Sequence, residues 1–265
     1  ALLAGTTTLI DHHVSPGAVD GSLDIVADAL GELGLRSLLC YETSDRDGPA
    51  IARGGIAENA RFVAATTSGA RPLARGMVGA HASFTLSEET LGACAELARE
   101  GGVGLHVHVA EDAADERDAE ARFGLRVTQR LAAAGAIDRR SLLAHGVHLD
   151  PAEIEIVRSV GATVVHNARS NMNNAVGRAP LAAFGARVRG RGHARAILAR
   201  APLRLAAHST VLAQGGPGTR HAGRTRAGAA VRCGPIARRS ARTPARGPLF
   251  RFRPPNRQCS LDLPP

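Results

Sequence analysis

A chain of 265 residues, 44% of them apolar, holds enough material for one large α/β barrel or two ordinary domains. It contains no run of about 18 apolar residues, and its start shows no charged segment leading into an apolar one, so a soluble, cytoplasmic protein without a membrane partner is expected. The four cysteines (Cys40, Cys94, Cys233 and Cys259) are far apart and form no C-x-x-C pair, which argues against a disulfide framework or a thiolate zinc site.

The net charge of +9 is the sum of two unlike pieces. Residues 1–185 hold 16 Arg against 23 Asp and Glu, whereas residues 186–265 hold 17 Arg and a single acid, Asp262. Lys is absent throughout, and Ala and Gly are abundant, a composition that reflects GC-rich coding rather than chemistry. The chain opens on Ala1-Leu2-Leu3-Ala4 without an initiator Met, which reads as the end of a helix and leads us to expect a truncated start.

In chain order, Thr6-Thr7-Thr8-Leu9-Ile10 reads as a strand ending at Asp11-His12-His13, and residues 22–33 repeat apolar positions at helical spacing. A strand over 37–41 precedes a helix over 51–68. A strand over 74–80 ends at His81 and precedes a helix over 87–100 that Ser87 can cap. A strand over 104–109 ends at Glu111, before one helix over 115–134. A strand over 141–144 ends at His145, before a helix over 151–160, and a strand over 162–165 ends at His166-Asn167. Apolar strands alternating with helices predict a parallel sheet covered on both faces. Polar residues follow nearly every strand, which favours a (β/α)₈ barrel over a doubly wound sheet, where they would gather at one switch point.

From residue 186 the rhythm stops. Residues 186–265 read as an irregular, Arg-rich tail with no Glu. An out-of-frame translation accounts for it better than nucleic-acid binding does, because no stacking aromatics are interleaved with the arginines.

Three stretches carry chemistry. In Leu105-His106-Val107-His108-Val109-Ala110-Glu111 the two imidazoles share one strand face, and a carboxylate follows in the loop, as a metal ligand beside a proton-transfer group requires. His145, one βα unit later, closes an apolar strand, and Gly146 permits close backbone approach. His166-Asn167-Ala168-Arg169-Ser170-Asn171 suits recognition of a polar substrate, although an Asn-rich turn explains it equally well.

Taken in order, Gly5-Thr6-Thr7-Thr8, His108-x-x-Glu111, Ala144-His145-Gly146 and His166-Asn167-x-x-Ser170-Asn171 resemble the amidohydrolase superfamily. Within it, the likeness is to the aminohydrolase branch of chlorohydrolase-like, guanine-deaminase-like and SsnA-type enzymes. It covers residues 1–185 and implies a partial TIM barrel, strands two to seven, that hydrolyses a non-peptide C–N bond of a heterocyclic or amidine-like small molecule. The resemblance also implies one divalent metal, zinc first and iron as the alternative, bound by a His-x-His on the first strand, a His on the fifth and an Asp on the eighth. Carried over, His108 becomes the fifth-strand ligand, Glu111 the proton shuttle, and His145 the group that polarises water or binds metal. His81, His166, Asn167, Arg169 and Asn171 become substrate contacts. The pattern gives His106 no metal role, and Asp11, His12 and His13 are set aside as ligands.

The first-strand His-x-His and the eighth-strand Asp have no counterpart here, so weak metal binding and little turnover are expected. The expected partner is a small-molecule substrate, with self-association open. A non-catalytic barrel scaffold whose basic tail binds nucleic acid is the alternative.

Overall fold

The computed structural model describes residues 6–185 and 195–197. Strands β1 (Thr8–His13), β2 (Arg36–Thr43), β3 (Ala74–Gly76), β4 (Val78–Ala82), β5 (Leu105–Val109), β6 (Leu142–His145), β7 (Thr163–Val165) and β8 (Arg195–Ile197) form one parallel sheet. Its order is β1-β2-β4-β5-β6-β7-β8, with β3 paired to β2. Helices α1 (Ser22–Glu32), α2 (Pro49–Thr67), α3 (Glu88–Glu100), α4 (Ala113–Phe123), α5 (Val127–Ala133) and α6 (Pro151–Val160) connect the strands, and α7 (Ala168–Asn173) and α8 (Leu181–Gly185) follow β7. This is the expected partial barrel of alternating strands and helices. Among the described residues no helix is long and apolar enough to cross a membrane.

The side-chain period of two divides the sheet. Leu105, Val107 and Val109 of β5 turn to the helices, where they join Leu91, Leu131, Leu143 and Val157 in the main core. On the other face, Cys40, Met77 and Leu142 form a small separate cluster, and the Cys40 thiol lies 3.7 Å from Nδ1 of His106. Polar donors can gather above that second cluster without interrupting the larger core.

Local signals fix the helix ends. Ser87 accepts the Thr90 N–H at 3.1 Å, and Asp150 accepts that of Glu153 at 2.8 Å. Arg126 joins α4, α5 and α6 through Glu116, Glu120, Asp150 and the fully buried Glu153. Burial, and next the charge of Glu153, pushes the Glu116 carboxyl up to about 8.

The structure corrects four boundaries. The helix expected over 115–134 is two, because Gly124 adopts a left-handed φ of 65° and stops α4. The strand expected over 74–80 is also two. β3 and β4 both pair with β2, and the side chain of Asn59 clasps β2 to β4 by bonding both backbone groups of Tyr41 and of Gly79. Gly79 must be glycine, since a Cβ there would stand 2.2 Å from the Tyr41 carbonyl oxygen. The strand expected to end before Asp11 runs on to His13, which pairs with Tyr41. Finally, residues 195–197, inside the segment read as irregular, add a strand beside β7. The rest of 186–265 lies outside the described residues.

Candidate active site

Every polar strand end named above lies at the C-terminal rim of the sheet, the face on which a (β/α) barrel builds its chemistry. The ring centroids of His81 and His108 are 5.3 Å apart, and those of His108 and His145 are 5.4 Å apart. Oε1 of Glu111 stands 3.4 Å from Nδ1 of His145 and accepts a 3.0 Å hydrogen bond from the Asn174 amide. The structure therefore brings His81, His108, Glu111 and His145 together.

Strict alternation would send His145 the way of Leu143, into the helical layer. Its φ of 74° and the 59° of Gly146 break that alternation, and the imidazole meets His108 instead. A left-handed non-glycine residue costs about 1–3 kcal/mol, so the surrounding packing must hold it in place. Ala110, beside Glu111, has a φ of 49° and donates its N–H to the buried Asp115 carboxylate at 2.9 Å.

Hydrogen bonds assign the imidazole tautomers. Nδ1 of His108 lies 2.8 Å from the carbonyl of His81, which can only accept, so Nδ1 carries the proton and Nε2 presents a lone pair. Nδ1 of His81 lies 2.8 Å from the Thr85 hydroxyl, whose own proton goes to the Ala82 carbonyl. Nδ1 of His145 meets Oδ1 of Asn171 at 2.7 Å. All three rings thus keep Nε2 free to accept. Burial holds His81 and His106 down at about 4, with Arg46 adding to the effect on His81 and His145 to that on His106. His108 and His12 are also held well below the usual imidazole value, by burial first and then by neighbouring imidazoles. Neutral rings with free lone pairs are what a metal requires.

Two residues that the sequence reading did not use complete the cluster. His12 stacks on His106 with centroids 4.6 Å apart, lies 4.7 Å from His108, and has both ring nitrogens buried without a partner. Glu42 is largely buried and bonded by Arg46 at 2.5 Å, and burial raises its carboxyl. The donor atoms of His12, Glu42 and His108 lie within 4.8 Å of one another, a set of imidazoles and carboxylate that suits zinc or iron. The only available sequence signal for these two was their position at the C-terminal ends of β1 and β2.

The expected substrate contacts are less uniform. Asn171 is buried against His145, and its amide nitrogen has no partner. His166 is half-buried with Nδ1 unbonded, and burial, followed by Arg178 and His145, lowers it. Asn167 begins α7, and Arg169 is exposed on that helix rather than turned into the imidazole cluster.

A parallel (β/α) sheet with imidazoles and a carboxylate at its C-terminal rim defines a barrel-type hydrolase architecture. The chain belongs to the amidohydrolase family, which matches residues 1–187. It is 30% identical over 171 residues to a 5-methylthioadenosine/S-adenosylhomocysteine deaminase of Archaeoglobus fulgidus, covering 64% of this chain and 39% of that protein. It is 32% identical over 193 residues to 8-oxoguanine deaminase of Pseudomonas aeruginosa, covering 68% and 42%. The chain thus spans about two fifths of the length of these relatives. Among solved structures, a zinc-bound adenosine deaminase from Xanthomonas campestris shares the fold with a TM-score of 0.61 at 24% identity, over 70% of this chain and 40% of that one. A zinc-complexed atrazine chlorohydrolase from Arthrobacter aurescens gives 0.59 at 21% identity, over 70% and 44%.

Proposed function

We propose that this chain carries the site of a metal-dependent aminohydrolase that removes an exocyclic amine, as ammonia, from a purine-like or related heterocyclic small molecule. One observation carries the reading: the Glu111 carboxylate stands beside His145 and is grouped with the neutral, buried His108 at the strand rim. The deaminases among the relatives support it. His108, together with His145, offers Nε2 to a divalent cation, with zinc preferred because the solved neighbours carry it. Such a cation supplies Lewis acidity, which draws the pKa of a water towards ~7.

The chain's own residues do the rest. Glu111 takes one proton from the attacking water as the C–O bond forms at the amine-bearing carbon. It passes that proton to the departing amine, and the C–N bond breaks. The second water proton ends on the ring nitrogen, leaving a carbonyl and ammonia. His145, held through Nδ1 by Asn171, stabilises charge on the attacking oxygen through Nε2. His81, His166, Asn167, Arg169 and Asn171 are proposed to contact the heterocycle.

The test is ammonia release by the zinc-supplemented chain from adenine nucleosides, 8-oxoguanine and aminotriazines. Slow release that disappears in Glu111→Gln is expected. Release that survives the substitution, or none from any of these compounds, overturns the reading.

A further inference from the structure

We propose that the cation is held by His12, Glu42 and His108, a ligand set spanning strands β1, β2 and β5, with His145 outside it. This rests on the metal-dependent reading above and specifies its ligands. It shares only His108 with the set implied by the sequence resemblance.

Three observations converge. The first is the donor geometry, with three ligand atoms from three strands inside 4.8 Å. Ligands of one zinc ion stand roughly 3.4 Å apart, and the three side-chain torsions of Glu42 allow the remaining closure. The second is His12 itself. A neutral imidazole carries one N–H and one lone pair, and buried polar atoms are almost always bonded. Both nitrogens of His12 are buried and unbonded, although its ring is fixed by stacking on His106 at 4.6 Å and 19°. A cation on the lone pair gives this side chain the partner it lacks. The third is orientation. The bond from Nδ1 of His108 to the His81 carbonyl leaves Nε2 as the only lone pair of that ring.

Strand register explains why these residues meet. His12 pairs laterally with Cys40, and Glu42 lies two residues beyond Cys40 on the same face of β2. The Cys40 thiol in turn lies 3.7 Å from His106, two residues before His108 on β5. His12, Glu42 and His108 therefore occupy the layer just above Cys40 and His106. Arg46 engages Oε1 of Glu42, so the second carboxylate oxygen remains for the ion. His145 bonds Asn171 and adjoins Glu111, which leaves it to act on water or substrate.

The experiment titrates cobalt(II) into the full chain, reading the visible d–d absorption, and measures zinc by equilibrium dialysis. It compares wild type with His12→Ala, His12→Asn, Glu42→Gln, His108→Ala and His145→Asn, each checked for wild-type circular dichroism. His12→Asn backs up His12→Ala should the smaller side chain impair folding. The expected result is roughly ten- to hundredfold weaker binding, with an altered cobalt spectrum, in the His12, Glu42 and His108 variants. His145→Asn should keep both affinity and spectrum. If folded His12 and Glu42 variants bind like wild type while His108→Ala and His145→Asn do not, this ligand set is wrong and the metal-dependent reading stands. If wild type binds neither cobalt nor zinc, both fall.

Discussion

Asp115 offers a test that joins the fold to the site. It lies in the first turn of α4, is 3% exposed, and accepts the N–H of Ala110 at 2.9 Å and that of Phe84 at 3.3 Å. It thereby ties the residue before Glu111 to the turn after His81. Burial outweighs these two bonds and pushes its carboxyl from the ordinary 3.8 up to about 6. A raised carboxyl binds its proton more tightly in the folded protein, so its contribution to stability is fully present below the unfolded value and is lost as pH rises through the folded one. The whole shift corresponds to about 3 kcal/mol. Between pH 4.5 and 7.5 the linkage relation yields about 2 kcal/mol of it. Asp115→Asn cannot ionise. The stability difference between wild type and variant should therefore move by about 2 kcal/mol over that interval, in favour of wild type at the acidic end. Urea unfolding of the full chain at both pH values, followed by far-ultraviolet circular dichroism, measures this. A difference that stays constant within about 0.5 kcal/mol would refute the assignment of a desolvated carboxylate at this position.

Three further outcomes follow from the geometry. Glu111→Gln should lower ammonia release roughly a hundred- to ten-thousandfold while leaving the melting temperature unchanged, because the side chain is half-exposed and removes no packing. Asn171→Ala removes the acceptor that orients His145 and should reduce kcat by roughly ten- to hundredfold; stability should change little, since the buried amide nitrogen it deletes has no partner. Asn59→Leu leaves both backbone groups of the buried Tyr41 unbonded between β2 and β4 and should cost about 3 kcal/mol in chemical unfolding.

The barrel rhythm was legible because parallel strands covered on both faces must be apolar along their length, and each such run here is followed by a helical one. His108 and Glu111 could be placed for the same reason: alternation along β5 fixes which face each residue takes. Other features depended on partners that no local pattern records. The break between β3 and β4 falls at Met77, inside an apolar run, and is set by contacts with β2 and by the Asn59 clasp. His12 reads as part of a polar loop because its neighbours are Asp11 and His13, yet hydrogen bonding to β2 carries the strand through all three. Glu42 gave no sign of its neighbours, since His12 and His108 reach it from other strands. His145 was expected to face the site, but alternation alone points it the other way, and its left-handed backbone, signalled only by the following glycine, resolves the conflict. Gly124 was a visible stop that the surrounding helical pattern masked.

The order of strands along the main path of the sheet is also the order in which they are synthesised. A ribosome therefore releases each new strand beside an edge already waiting to pair with it, and no earlier pair has to open to admit a later one. The imidazoles of β1, β4 and β5 can gather while the remaining third of the described chain is still being made. The restraint on Glu111 comes later, because Asn174 and the Asn171 that fixes His145 lie beyond β7. A nascent chain would thus hold nitrogen donors before it holds a positioned carboxylate, so a growing polypeptide could capture a cation before it could act as a hydrolase.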